Sequence, residues 1–140
     1  MPVRDISRRL ADAGIVHALG GSGLMRLLGI EVPVRDWDLT TDAGRADIEQ
    51  ALDGFAGQSL PPAAPCRSDF LLSYAVDGET IEIMGRFRLE TPAGQVAVRT
   101  RVTDRKHGIP LGCPAEWARA YRLMGRDAKA ELLEALLRGN

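Results

Sequence analysis

The stretch that decides the fold is residues 20–42, GGSGLMRLLGIEVPVRDWDLTTD. Two glycines and a serine stand before a short apolar segment, and a tryptophan follows between two aspartates. Glycines let the backbone approach a ligand closely, and a helix beginning at Ser22 would direct free N–H groups toward an anion. The loop therefore predicts a phosphate site contacted by Gly20, Gly21 and Ser22, and a plain turn before a helix is the alternative.

The two aspartates form a second signal. In a strand over residues 36–40, Asp36 and Asp38 project from the same face, roughly 6.6 Å apart along the chain. Like charges held so close repel unless a cation or water intervenes. Mg²⁺ prefers oxygen ligands and keeps positions open for substrate phosphates. We therefore predict that Asp36 and Asp38 bind Mg²⁺, and two solvated loop aspartates are the alternative.

A third carboxylate appears in residues 79–85, ETIEIMG. Glu82 stands between Ile81 and Ile83, so a strand here would place Glu82 and the two isoleucines on opposite faces. If this strand lies beside the aspartate strand, three carboxylates converge. Such a cluster suits a two-metal site that stabilises the attacking and leaving oxygens of a phosphoryl displacement. A solvated outer face of the sheet is the alternative position for Glu82.

Size and composition indicate one globular domain over residues 1–140. The chain is 45% hydrophobic and 26% charged, which is typical of a folded protein. Its formal net charge of −1 gives no general attraction to nucleic acid or membranes. The two cysteines lack the spacing of a zinc site or a disulfide framework, and no apolar run is long enough to span a membrane. We expect a cytoplasmic protein.

Hydrophobic periodicity and turn residues predict an α+β fold. A short mixed sheet should carry the carboxylates on one face, with helices packed on the other face and two further helices at the C-terminus. A proline-containing loop (SLPPAAP) should follow the third helix, and Asp77-Gly78 is a strong hairpin signal. The predicted helices are 6–13, 22–28 (capped by Ser22), 43–52 (capped by Asp42), 113–124 and 127–137. The predicted strands are 15–19, 36–40, 69–76, 79–85, 86–90 and 95–102.

Taken together, these motifs resemble the signature of the DNA polymerase β-like nucleotidyltransferase superfamily. Gly21-Ser22 is followed after thirteen residues by Asp36-x-Asp38, and later by Glu82 between apolar residues. Three local sequence segments are similar to the catalytic head of CCA-adding tRNA nucleotidyltransferases and bacterial poly(A) polymerases. The resembling segments are LGG…LLG (19–29), DWDLTTDA (36–43) and DGETIEIMGRFR (77–88).

The resemblance implies roles for these residues. Asp36, Asp38 and Glu82 would be the catalytic carboxylates and the Mg²⁺ ligands, with Glu82 as the general base. The glycine turn and Ser22 would hold the triphosphate of an NTP. The tail from residue 109 is similar to the end of small stand-alone nucleotidyltransferases, including those of toxin–antitoxin pairs and antibiotic-modifying ones.

Departures from the family pattern narrow the expected activity. Tyr121 falls where the first C-terminal helix of such proteins often carries a lysine, and Arg126 and Lys129 are expected to supply that charge to the nucleotide. Leu24-Met25 replaces the Arg-Asp pair of CCA-adding heads, and the tRNA-binding body has no counterpart among these 140 residues. We therefore do not expect tRNA or DNA as a substrate.

The expected function is Mg²⁺-dependent transfer of a nucleoside monophosphate from an NTP to a hydroxyl of a small molecule or protein, releasing pyrophosphate. The alternative is a catalytically weak or inactive relative that acts as a nucleotide sensor or an antitoxin-like partner. A homodimer or a separately encoded partner is expected to close the site near Pro61–Pro65. One basic cluster consists of Arg99, Arg101, Arg105, Lys106 and His107. It is interpreted either as a charged edge strand or as a docking patch for a phosphate-bearing acceptor.

Overall fold

Helices and strands alternate along the first 60 residues of the computed structural model, which describes residues 1–139; hairpins follow, and two helices come last. The helices are α1 (Pro2–Asp12), α2 (Gly21–Leu27), α3 (Arg45–Ala51), α4 (Pro114–Leu123) and α5 (Asp127–Arg138). The strands are β1 (His17–Gly20), β2 (Asp36–Thr41), β3 (Ala56–Leu60), β4 (Phe70–Val76), β5 (Glu79–Gly85), β6 (Arg88–Thr91), β7 (Gly94–Ala97), β8 (Asp104–Lys106) and β9 (Ile109–Leu111).

Seven strands form one mixed sheet in the order β3-β4-β5-β2-β1-β9-β8. The central strand β2 runs parallel to β5 and antiparallel to β1, and β1 in turn runs parallel to β9. Strands β6 and β7 form a separate hairpin. The predicted α+β class, with a mixed sheet and two C-terminal helices, is confirmed.

One face of the sheet carries the main apolar core. Trp37 and Leu39 of β2, and Ile81 and Ile83 of β5, alternate with the acidic residues and therefore point away from them. Helices α1 and α2 pack against this face, and α3 packs beside α1. The side chains of α1 that are fully buried here are Val3, Ile6 and Leu10. The opposite face of β2 and β5 is left to the carboxylates.

The two C-terminal helices pack against each other, and α4 borders the carboxylate face. Trp117 of α4 stacks on Phe87, with ring centroids 5.6 Å apart. The indole of Trp117 also fills the space in which a Cβ on Gly20 would stand. Because Gly20 is the cross-strand partner of Asp38, α4 forms a wall beside the carboxylates.

The structure adds strands that the sequence does not predict. Strand β3 has no β-branched residue, and it forms because it pairs along its whole length with β4 at the sheet edge. The β8–β9 hairpin has strands of three residues, too short for a periodicity signal. Conversely, the strand predicted over 95–102 ends at Ala97, and residues 98–103 have no regular structure.

Two predicted helix caps are wrong. Helix α2 begins at Gly21 with Gly20 as the N-cap, so Ser22 lies within the first turn and caps nothing. Helix α3 is preceded by Gly44, while the Asp42 carboxylate accepts a hydrogen bond from the Thr100 amide, 3.3 Å away. In both cases a glycine in extended conformation directly precedes the helix, and the polar side chain makes a long-range contact instead.

None of the helices within residues 1–139 combines the length and apolar character needed to cross a membrane.

Candidate active site

The register of the central strands brings the three predicted carboxylates together. Asp38 of β2 stands directly opposite Glu82 of β5, and Asp36 lies two residues earlier on the same face. Strand β2 is central because it pairs on both sides, so the side chains are fixed by two ladders. The two strands are neighbours, and the three carboxylates therefore converge as predicted.

The glycine turn lies directly against this cluster. Gly21 adopts a φ of 61°, and a Cβ at this position would stand 2.6 Å from Oδ2 of Asp38. An L side chain is disfavoured on both grounds, by the left-handed backbone and by the contact with the carboxylate. The turn thus brings bare backbone next to the carboxylates.

A lysine reaches the same turn from the last helix. Nζ of Lys129 in α5 donates a hydrogen bond to Oγ of Ser22 over 2.8 Å, and lies 5.5 Å from the centroid of the Tyr121 ring. Burial lowers the pKa of Lys129, and the positive charge of Arg126 lowers it further. The positive charges of Lys129 and Arg126 therefore lie close to each other and to the carboxylates.

Burial and mutual repulsion perturb the carboxyl groups. Burial, followed by the negative charges of Glu82 and Asp36, raises the pKa of Asp38 to about 7. The cations Lys129 and Arg126 oppose this rise without cancelling it. Burial also raises the pKa of Glu82, and a hydrogen bond with Asp36 adds to the effect. Such shifts are typical of functional sites, where like charges are held together for a ligand.

These groups line a cleft of about 570 Å³ between the sheet and the C-terminal helices. A volume of this size fits a small organic ligand. Pro62 and Ala63 are among its lining residues, so the Pro61–Pro65 loop borders the cleft. The side chains that line it include Ser22, Arg35, Asp36, Asp38, Cys66, Ser68, Glu82, Met84, Tyr121, Arg126 and Lys129.

The donor chemistry of the cleft suits a hard divalent cation. Carboxylate oxygens are the protein ligands that Mg²⁺ takes, and Asp36, Asp38 and Glu82 supply several of them. Within residues 1–139, however, no three His, Cys, Asp or Glu side chains are arranged as a ready-made metal cluster. The Mg²⁺ assignment stays a prediction.

Some cleft residues were not found from the sequence. Arg35 precedes the first aspartate, and its position beside the acidic motif was the one available signal. Ser68 is 8% exposed, and its Oγ has no hydrogen-bond partner among residues 1–139. Cys66 also lines the cleft, where burial and the charge of Asp38 raise the pKa of its thiol. Both follow a proline-rich segment with no periodicity.

Other predicted features lie outside the cleft. His17 is an interior residue, with 2% of its surface exposed. The basic cluster does not form one strand face, because residues 98–103 are not a strand. Arg101 pairs with Glu116 over 3.6 Å, whereas Arg105 and Lys106 lie on the edge strand β8.

The sheet order, the glycine turn and the carboxylate register define a nucleotidyltransferase fold, as the sequence resemblance implied. A crystal structure of a Thermotoga maritima protein that has been proposed to be a nucleotidyltransferase matches with a TM-score of 0.70 and 27% identity, over 99% of this chain and 91% of that chain. No protein-family model and no curated protein matches the sequence.

The antibiotic-resistance factor ANT(2'')-Ia has the same fold. Its crystal structure in complex with adenylyl-2''-tobramycin matches with a TM-score of 0.54 and 13% identity, over 96% of this chain and 91% of that chain. Its solution structure gives a TM-score of 0.56 and 14% identity, over 96% and 86% of the two chains. At these identities the likeness concerns the fold alone.

Proposed function

We propose that this protein transfers a nucleoside monophosphate from an NTP to a hydroxyl group and releases pyrophosphate. The observation that carries the proposal is the pairing of Asp38 with Glu82, with Asp36 on the same face. A binding module gains nothing from three clustered carboxyl groups, because their mutual repulsion costs stability. The metal ion of a bound metal–triphosphate complex would instead be attracted by the same three negative charges.

Different residues of the cleft are proposed to bind the metal ion and the phosphates. Asp36, Asp38 and Glu82 would hold Mg²⁺, which would neutralise charge on the triphosphate and on the oxygens of the transferred group. Ser22, Lys129 and Arg126 would bind the β- and γ-phosphates, since the turn and both cations lie beside the carboxylates. Among these cations Arg126 is suited to bidentate contact with phosphate oxygens.

The proposed reaction is an in-line displacement at the α-phosphorus. The acceptor oxygen forms a bond to that phosphorus, and the bond from phosphorus to the oxygen bridging to the β-phosphate breaks, so pyrophosphate leaves. The acceptor's hydroxyl proton passes to Glu82 as general base. Glu82 lines the cleft directly opposite Asp38, so its carboxylate is placed to accept this proton.

The acceptor is proposed to be a small molecule or a protein side chain, approaching past the Pro61–Pro65 loop. A second copy of the chain or another protein is proposed to close the cleft beside this loop and exclude water. A net charge of −1 argues against long polynucleotides, whose binding relies on many basic contacts.

One experiment tests the activity. The protein is incubated with Mg²⁺, cell lysate and each of the four NTPs labelled at the α-phosphate, and the labelled product is identified. We expect label on a metabolite or protein, no transfer from γ-labelled NTP, and no product from Asp36→Asn. The exposed Asp53→Asn is the matched control and should retain activity.

Other outcomes would contradict the proposal in distinct ways. Label on tRNA 3′ ends would overturn the proposed acceptor class, and transfer of γ-label would indicate a kinase. NTP binding without any transfer would favour the alternative of a nucleotide sensor or antitoxin-like partner. The observation that favours this alternative is Tyr121, which stands where the first C-terminal helix of such proteins often carries a lysine.

A further inference from the structure

A second pocket lies on the face of the sheet opposite the carboxylates, between α1 and the β8–β9 hairpin. Its volume is about 380 Å³, within the range that holds small ligands. It shares no lining residue with the carboxylate cleft. His17 begins β1 at this pocket, and Gly20 ends β1 at the carboxylates, about 10 Å away at the rise of a strand.

Three arginines from two elements converge on this pocket. Arg4 and Arg8 are four residues apart on α1 and so share one face of the helix. Arg105 reaches the same pocket from β8. The hairpin is held near the helix, because Nε of Arg4 is 4.0 Å from the point where a Cβ on Gly108 would stand.

The arginines carry the only charges among the pocket's lining residues, because Asp5 and Asp12 of α1 and Asp104 of β8 do not line it. No lining residue of the pocket is acidic. Within the part of the chain that the structure describes, residues 1–139, none of the three guanidinium groups has an ion pair or a hydrogen bond. In a chain whose net charge is −1, this is a local excess of positive charge at a concave surface. Such a surface attracts anions.

The floor of the pocket is polar, buried and neutral. Ser7 and His17 are each 2% exposed, and Oγ of Ser7 lies 2.6 Å from Nε2 of His17. Nδ1 of His17 donates to the Ile15 carbonyl over 2.9 Å, so Nε2 accepts the Ser7 hydroxyl hydrogen. Both ring nitrogens are used, and His17 contributes no charge. The arginines alone therefore set the sign of the pocket.

We propose that this pocket binds the phosphate group of a small phosphorylated solute through Arg4, Arg8 and Arg105. Guanidinium groups offer paired N–H donors that match phosphate oxygens, and three of them around one concavity suit a dianion. The residues form a pocket at one end of the molecule, whereas a polynucleotide would need a basic face along its length. The site is independent of the chemistry proposed for the carboxylate cleft.

The test is equilibrium dialysis with radiolabelled inorganic phosphate, without Mg²⁺ and at constant ionic strength. Phosphate can also meet the cations of the carboxylate cleft, so the reference protein is the double variant Arg126→Gln/Lys129→Gln. We expect this reference protein to retain one phosphate site. Adding Arg105→Gln or Arg8→Gln should weaken that site at least about tenfold, since each removes charge-assisted hydrogen bonds.

Arg119→Gln is the matched control, because Arg119 is an exposed arginine of α4 that lies outside both sites. It should bind phosphate as the reference protein does. Circular dichroism of each variant checks that the fold is unchanged, and Arg8 and Arg105 are both exposed. Loss of all phosphate binding in the reference protein, or full binding after Arg105→Gln and Arg8→Gln, would overturn the proposal. Binding of a short DNA duplex but not of phosphate would overturn it as well.

Discussion

Single side chains decide how charge is balanced in the cleft. Lys129 and Ser22 are 107 residues apart in sequence, yet their hydrogen bond joins α5 to the glycine turn. Tyr121, at the position where a lysine was expected, offers its ring to the Lys129 ammonium. Burial raises the pKa of the Tyr121 phenol to about 12, so this side chain stays neutral. The lysine of the cleft is therefore supplied by α5 and not by α4.

Replacing this lysine should weaken nucleotide binding. Lys129→Gln removes a charge-assisted contact with the triphosphate, and we expect the Kd for an NTP with Mg²⁺ to rise about tenfold or more. Isothermal titration calorimetry measures the change. Arg138→Gln, an exposed residue near the end of the same helix, is the control and should bind as the wild type does. Equal affinity in Lys129→Gln and the control would exclude Lys129 from the phosphate site.

The carboxyl cluster should reduce stability when no cation is bound. Asp38→Asn removes one negative charge from beside Glu82 and Asp36, and we expect the free energy of unfolding at pH 8 to rise by about 1–3 kcal/mol without metal. Added Mg²⁺ should stabilise the wild type and have little effect on the variant. Urea unfolding with and without Mg²⁺ measures both effects. A variant that is no more stable than Asp53→Asn would contradict this account.

At the scale of elements, the turn from β1 into α2 is set by packing. Gly20 is extended, with φ −123° and ψ −164°, so its backbone would accept an alanine. The obstacle is the indole of Trp117, which occupies the space of the missing Cβ. Gly20 thus lets α4 approach the end of β1 and form one wall of the cleft.

Gly20→Ala should therefore destabilise the protein through overpacking alone. We expect a loss of about 1–3 kcal/mol in the free energy of unfolding, as for extra methyl groups in closed cores. Gly44→Ala is the matched control, since the nearest atom to its Cβ would be 3.9 Å away and its φ is −76°. The control should lose less than about 1 kcal/mol. Chemical denaturation compares the two, and equal losses would show that Trp117 moves aside at no cost.

The elements that carry strong local patterns could be predicted from the sequence. The hairpin at Asp77-Gly78 is present, with positive φ at both residues, as its turn chemistry requires. Alternation around Trp37 predicted β2, and the apolar spacing of the C-terminal segments predicted α4 and α5. Edge strands such as β3 and β8 could not be predicted, because their stability depends on a partner strand.

The residues of the site also differ in whether the sequence could predict them. The three carboxylates could be predicted to converge because strand periodicity fixes their faces and only one pairing was needed. The contact between Lys129 and Ser22 depends on how α5 packs, which no local pattern encodes. Ser68 and Cys66 enter the cleft from a segment without periodicity, so no local pattern could predict them.

For the molecule as a whole, the two proposed sites lie on opposite sides of the sheet. The carboxylates line a cleft on one face, and three arginines line a pocket on the other. The buried Ser7–His17 pair ties α1 to β1 between these two sites. Burial raises the pKa of Asp38 and lowers the pKa of His17, so protonation of these two groups changes the free energy of unfolding with opposite signs as pH falls.

His17 should make the protein less stable in acid. Burial lowers its pKa, and the bond to Ile15 and the charge of Arg105 have smaller effects. With a folded-state pKa below the unfolded value of about 6.5, the unfolded chain takes up the proton first, so stability falls as pH drops below about 6.5. The slope reaches at most about 1.4 kcal/mol per pH unit.

The comparison of wild type with His17→Gln isolates this effect from the carboxylates. Urea unfolding between pH 7 and 5 should show a steeper loss of stability in the wild type than in the variant. Val16→Thr, which changes the exposed neighbour of His17, controls for the local substitution and should follow the wild type. Parallel curves for wild type and His17→Gln would show that His17 does not titrate across the unfolding transition.

The parallel pairing of β2 with β5 also constrains how the chain folds during synthesis. The segment between them contains α3 and the two strands β3 and β4, so a long loop must close before Asp38 meets Glu82. Asp36 and Asp38 leave the ribosome well before Glu82, and Lys129 follows last. A nascent chain therefore has no assembled cleft until its final helix is available, and a partly synthesised chain should bind no nucleotide.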